Sequence, residues 1–333
     1  MMPWLLMCLG LTACLKPPPA QSEFVLGTVC TINLYEQGSA RIYDAIFSRL
    51  HEIEQTMSAS LAGAPLDRIN QNAGIAPVPV PADLIAVLDT ALGYAELSDG
   101  AFDPTVYPLV KRWAIGSEDP HLPQEAEIQE ALSLINWRDV VIDREAATVF
   151  LRRSGMALDL GAIAKGYAAD EAARLLQNAR IKRAIIDLGG NIFAYGTKQE
   201  SGLPWRIGIQ NPLDTRGTYL GILAVRHKSI VTSGVYERYA EINGQRYHHI
   251  LSTRDGYPVR NGLLSVTIIA DRSIDADGLS TAAFALGYEQ GRTLVEAIDQ
   301  AEAIFVFEDK RIRGTPGALA GFTLNDTQFN LAE

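Results

Sequence analysis

Three cysteines and five histidines are all that 333 residues offer in soft or nitrogen metal ligands. The histidines (His51, His121, His227, His248 and His249) are scattered except for the last pair, and no Cys/His spacing matches a zinc site. Two of the cysteines, Cys8 and Cys14, fall in the apolar stretch that opens the chain, leaving Cys30 alone beyond it. A lone thiol cannot form an internal disulfide, so stability has to come from a buried core. Basic runs are also missing, and 29 Lys+Arg against 39 Asp+Glu give a formal net charge of -10. That balance repels a phosphate backbone, so nucleic acid is not an expected partner. Repeats, low-complexity tracts and an internal Pro/Ser linker are absent as well. With 47% hydrophobic and 20% charged residues, the composition is that of a globular chain, best read as one large domain.

What is present begins with Met1 to Cys14, apolar throughout, too short to span a bilayer, and closing on Leu11-Thr12-Ala13-Cys14. This ending resembles the lipobox of bacterial lipoproteins, although the basic residue expected ahead of it is missing. The resemblance implies a signal peptide over residues 1–13, acylation of Cys14, and a periplasmic location on a membrane, the inner one. Lys16-Pro17-Pro18-Pro19 then reads as an extended spacer, residues 14–22 in all, holding the domain of residues 23–333 near that membrane.

Periodicity predicts a strand from Val25 to Tyr35, then a helix closing at Met57, with apolar residues at Ile42, Ile46, Leu50 and Ile53. Ser58 to Pro81 carries six glycines and prolines and is expected to be irregular. Helices are expected over 82–97 and 124–135, a hairpin over 140–152, and a helix from Tyr167 to about Ala179. Strands follow at 184–191, through Ile209, at 220–230, 247–251 and 264–270, then a helix over 279–298 and a strand over 303–308. Without strict βαβ alternation this is an α+β domain.

Gly161-Ala162-Ile163-Ala164-Lys165-Gly166 places a glycine turn and a lysine at a helix start, where free N–H groups and the helix dipole favour phosphate. It fits neither GxxxxGK[ST] nor GxGxxG. Asp277 and Thr281, four apart at a helix start, put two oxygens on one face, a set suited to a hard cation such as Mg²⁺; capping by Asp275 or Asp277 is the plainer reading. His248 and His249 in a strand point to opposite faces, so only one can face a cleft. Asp103 offers a carboxylate that could take a ring N–H.

Taken together, Phe102-Asp103-Pro104-Thr105-Val106, the run Leu158 to Asp170, Ile186-Asp187-Leu188-Gly189-Gly190-Asn191, Thr232-Ser233-Gly234 with Tyr236 to Tyr239, His249-Ile250 with Gly256-Tyr257-Pro258, and Ala276 to Ala282 closely resemble the FAD:protein FMN transferase family, also called ApbE. The resemblance implies a single α+β domain with FAD as substrate in a central cleft and Mg²⁺ bridging its phosphates. It implies metal ligands at the Ala162 carbonyl, Asp277, Ser280 and Thr281. It also implies flavin-nucleotide contacts at Leu26, Ala101, Phe102, Asp103, Asp159, Lys165 and Ile250. The implied acceptor is a threonine in a membrane-bound redox subunit with a Ser/Thr-Gly-Ala-Thr sequence, which becomes joined to FMN by a phosphoester. His249 is the candidate base, since an imidazole titrates near working pH.

Two departures stand out. Ser60 occupies the position of an aromatic expected near the flavin, with Ala64-Pro65 after it, and Ser252-Thr253 replaces an Asp-Pro pair. Both bear on flavin retention and acceptor choice. The alternatives are an FAD pyrophosphatase releasing FMN and AMP, and an FAD-binding lipoprotein without turnover.

Overall fold

The computed structural model describes residues 18–36 and 38–332, so Cys14 and the segment before it lie outside the described residues. Nine strands form the central sheet: Gln21–Val25, Thr28–Leu34, Ala184–Leu188, Asn191–Tyr195, Lys228–Gly234, Leu263–Ala270, Glu302–Phe307, Arg311–Gly314 and Asn330–Leu331. They lie side by side in the order in which the chain makes them. Neighbours are antiparallel except for the last pair.

Both faces of this sheet are covered, which explains why Leu263–Ala270 is buried at all eight positions. One face carries the helices Ala40–Met57, Ala164–Asn178 and Ser273–Leu286, with Val231, Val266, Ile268 and Phe305 pointing into that core. The other carries a second sheet of Phe322–Leu324, Tyr219–Val225 and Trp205–Gln210, against which Ile230, Ile304 and Val306 pack. A smaller cluster joins Leu109, Trp113 and Ile128 to Tyr247 and Leu251 at the edge of the domain, and Trp113 Nε1 donates to the Gly256 carbonyl at 2.8 Å.

Helix Ala164–Asn178 buries alanines at 164, 168, 169, 172 and 173, which lets it approach Ser273–Leu286 closely. At Gly166 a Cβ would lie 2.6 Å from the Ile274 Cα and would also strike the Ser273 carbonyl. Only glycine fits between these two backbones.

Several elements differ from the periodicity reading. The strand expected over 25–35 is a hairpin turned at Leu26 and Gly27, both with positive φ. The stretch 58–81 holds the helix Pro65–Gln71, because Pro65 sits in the first turn, where its missing N–H costs nothing. It also holds the short strand Val78–Pro79, paired with Thr148–Leu151. The helix expected over 279–298 starts earlier and is two helices, Ser273–Leu286 and Tyr288–Glu296, parted at Gly287 with φ 81°. The helix expected from Tyr167 begins at Ala164. The strand expected over 247–251 ends at His248, and the one over 220–230 reverses at Arg226 and His227.

Candidate active site

A cavity of about 420 Å³ opens where the sheet meets the 101–104 turn and the start of helix Ala164–Asn178. Ala101, Phe102, Asp103, Asp159 and Ile250 line it, and so do Ala162, Lys165, His249, Asp277 and Thr281. Three other expected residues stand elsewhere. Leu26 packs against the core with its N–H given to Glu54 Oε1 at 2.7 Å, and its neighbours Gly27 and Thr28 reach the cavity instead. Ser60 is exposed and outside the wall, its hydroxyl 3.3 Å from that of Ser58. Ser280 is fully buried one layer behind, donating to the Asp277 carbonyl at 2.9 Å and paired with Ser233 Oγ at 2.8 Å. It braces the wall, while Thr281 faces the space.

The oxygen cluster is built by the contact between two helices. Gly166 N–H, in the first turn of a helix that starts at Ala164 and so without an intrahelical acceptor, is given at 2.8 Å to Asp277 Oδ2. Ala162, just ahead of that helix, lines the same cavity as Asp277 and Thr281, so a backbone carbonyl, a carboxylate and a hydroxyl border one space. No group of three or more His, Cys, Asp or Glu side chains suited to a metal occurs among the described residues. A carboxylate, a hydroxyl and a carbonyl are instead the donors a hard divalent cation takes, with coordination positions left for water or phosphate. These residues fit Mg²⁺. Lys165 Nζ lies 3.9 Å from Asp277 Oδ1 and donates to the Gly161 carbonyl at 3.2 Å. It sits at the first turn of its helix, where an anion is doubly favoured.

Asp103 is committed to the chain itself. Oδ1 accepts from the Thr105 N–H and hydroxyl at 2.8 and 2.6 Å, and Oδ2 from the Trp137 N–H at 3.1 Å. It shapes the 101–105 turn; it does not orient a histidine ring. Burial pushes its carboxyl up from the ordinary range, and burial does the same to Asp159, whose Oδ1 takes the Gly161 N–H at 2.8 Å.

The two histidines part company as the strand reading expects. His248 turns into the core, with Nε2 2.8 Å from the Val259 carbonyl and its ring edge-on to Phe284. His249 lies on the cavity, with Nδ1 3.1 Å from the Arg238 carbonyl. A carbonyl can only accept, so Nδ1 carries the proton and Nε2 keeps its lone pair. The ring is half-covered at the surface yet crowded by protein, and this desolvation pushes its pKa down to about 4.

Other wall residues had no chemical role read from the sequence. Asn191 accepts from Ser273 Oγ at 2.8 Å, while its buried Nδ2 has no partner among the described residues. Arg216 and Arg238 add positive charge. Thr253, at one of the departures from the family pattern, donates to the Gly100 carbonyl at 2.7 Å and ties two walls together. Gly189, with φ 67°, leaves the space into which the Thr28 side chain fits.

Comparison with known proteins extends along the same residues. Residues 26–305 match the ApbE family. A Treponema pallidum protein named FAD:protein FMN transferase is 39% identical over 94% of this chain and 91% of its own length. A Klebsiella pneumoniae protein of the same name is 36% identical over 87% and 90%. The solved structure of the Thermotoga maritima ApbE protein superposes with a TM-score of 0.83 at 32% identity, covering 91% of this chain and 98% of that one. The flavin transferase ApbE of Vibrio cholerae gives 0.78 at 28% identity over 93% and 97%. By fold, by family match and by relatives above 30% identity along most of its length, the chain belongs to the ApbE family.

Proposed function

We propose that this protein is a Mg²⁺-dependent FAD:protein FMN transferase, which breaks the FAD pyrophosphate and passes FMN to a threonine of a membrane redox subunit. The observation that carries this reading is the bond from Gly166 to Asp277, which sets the Asp277 carboxylate at the start of the Lys165 helix in one cavity with Ala162, Thr281 and Lys165. Asp277, Thr281 and the Ala162 carbonyl would hold Mg²⁺, which supplies charge neutralisation for the pyrophosphate oxygens. Lys165 and the N–H groups at its helix start bind the phosphates and orient them. His249 Nε2, unprotonated at neutral pH, accepts the proton of the acceptor hydroxyl as its oxygen attacks the FMN phosphorus and the bond to AMP breaks. Relatives carrying the transferase name along nine-tenths of the chain support the same assignment. Export and tethering through Cys14 would bring the enzyme to a membrane-attached acceptor.

The test is incubation with FAD and MgCl₂, with and without a redox subunit carrying a Ser/Thr-Gly-Ala-Thr sequence, followed by product analysis. Flavin bound covalently to the subunit, with AMP released, is the expected result; FMN and AMP without labelled protein would instead assign a pyrophosphatase. Asp277→Asn keeps one oxygen for the Gly166 N–H but loses the charge, and it should be folded and inactive at ordinary Mg²⁺. Full activity in this variant would remove Asp277 from the metal site.

A further inference from the structure

A second cavity, of about 860 Å³, adjoins the first and shares Gly190, Thr232, Glu237 and Arg216 with it. Its floor is one face of the central sheet, since the residues it draws from there alternate: Gly190 and Ile192 on one strand border, Ile230 and Thr232 on the next. One wall behaves differently. Four consecutive residues, Ile207 to Gln210, line the cavity. A strand presenting a face would contribute every second residue, so the cavity runs along the edge of this strand. Trp205–Gln210 is terminal in its sheet, and its other edge pairs with Tyr219–Val225. The edge on the cavity is therefore the unpaired one, with backbone N–H and C=O groups open to a ligand.

The rim is apolar and uncovered. Leu213 is 53% exposed, Tyr219 53% and Tyr239 41%. Tyr219 lies across Gly208, where a Cβ would come within 2.9 Å of its ring, so the glycine lets the aromatic lean over the strand. The charges are of both signs: Asp187, Asp214 and Glu237 against Arg216 and Arg246. Arg246 is already engaged, paired with Glu241 at 3.0 Å and stacked 4.5 Å from the Tyr239 ring. A second polyanion would meet more carboxylates than free cations here. An uncharged, extended polypeptide finds what it needs: an open strand edge for its backbone and aromatic walls for its side chains.

We infer that this second cavity seats an extended, uncharged segment of the acceptor protein, laid along the edge of Trp205–Gln210 so that its hydroxyl enters the first cavity past Thr232 and Arg216. The inference rests on the transferase reading above and adds where the acceptor binds. The continuity of the two spaces is what selects this occupant, because a group placed in the groove has a direct path to the phosphate site.

Leu213→Glu and Tyr239→Glu test it, since both residues are exposed and neither lines the first cavity. The probe is a purified redox subunit carrying the Ser/Thr-Gly-Ala-Thr sequence. Each variant should raise the KM for that subunit roughly tenfold, while FAD affinity, measured by flavin fluorescence, stays within about twofold of the wild type. The same subunit with its acceptor threonine changed to valine should compete for transfer in the wild type and compete less well in the variants. If the wild type labels the subunit and both variants label it with unchanged KM, the groove assignment alone falls. A weakened FAD affinity in the variants would mean that the groove holds part of FAD, and would also overturn it. Should the wild type bind FAD but label no subunit, the transferase reading fails and the groove with it.

Discussion

Asp170 caps a helix to which it does not belong. Its Oδ1 accepts the Ser273 N–H at 2.7 Å and its Oδ2 the Ile274 N–H at 2.9 Å, so the helix carrying Asp277 and Thr281 is started by a carboxylate from the helix carrying Lys165. The pair of helices is thus fastened at its buried end as well as at the Gly166 to Asp277 bond.

Removing this carboxylate leaves two N–H groups without a partner. Asp170→Ala should lower stability by about 1–3 kcal/mol and raise the Mg²⁺ concentration needed for half-maximal activity. Burial pushes the Asp170 carboxyl up to about 6, above the ordinary carboxylate value of 3.8. A raised folded-state value means that the group's linked contribution is full below about pH 4 and is lost as pH rises through about 6. Denaturant unfolding should therefore show a larger penalty for the variant at about pH 5 than at about pH 8. An equal penalty at both would show that the carboxyl does not titrate in this window.

Gly166→Ala drives a methyl into the backbone of the neighbouring helix. With the Ile274 Cα 2.6 Å from the added carbon, the helices must separate, at a cost of about 1–3 kcal/mol. The Asp277 carboxylate moves with them, so Mg²⁺ response should fall more steeply than thermal stability. A variant with unaltered Mg²⁺ dependence would show that the helix contact does not set the oxygen cluster.

His249 predicts the acid limb of the pH profile. With its imidazole pushed down to about 4 by burial, Nε2 is unprotonated throughout mild acid. Cleavage of FAD should hold its rate from about pH 8 down to about pH 5 and decline only below, while His249→Asn should lose roughly 10²- to 10⁴-fold. An acid limb near the unperturbed value of 6.5 would contradict the crowded site.

Cys14→Ser should give a protein that leaves the membrane fraction without detergent and turns over FAD normally, because residue 14 precedes the described domain. Equal release of the unaltered protein would remove the lipid anchor.

Much of the site was legible because its residues lie in short runs with strong local character. The helix start at Lys165 and the Asp277/Thr281 pair are spaced by helical geometry, and the strand alternation at His248 and His249 set which ring meets the cleft. What stayed hidden depends on packing between distant segments. Ser280 shares a turn with Thr281 in sequence, yet its hydroxyl is drawn inward by the Asp277 carbonyl and Ser233. Asp103 looked available for a ring N–H until Trp137, more than thirty positions away, claimed its second oxygen. Leu26 and Ser60 come from the family pattern, and neither forms the cavity wall. Helix Pro65–Gln71 was masked by the glycines and prolines around it, although the proline at its start is what begins it.

Thr28–Leu34 and Ala184–Leu188 are sheet neighbours, yet everything from residue 35 to 183 is made between them. Ala101 to Lys165 come from that excursion, whereas Thr232, His249 and Asp277 come from the chain beyond it. Closing so long a loop is a slow, entropically costly event, while the later strands of the sheet pair across connections of roughly thirty residues or fewer. The C-terminal strands are thus free to assemble early, and the cavity becomes whole only when the excursion docks. A newly made chain would acquire the C-terminal part of its sheet before its ability to hold a flavin nucleotide.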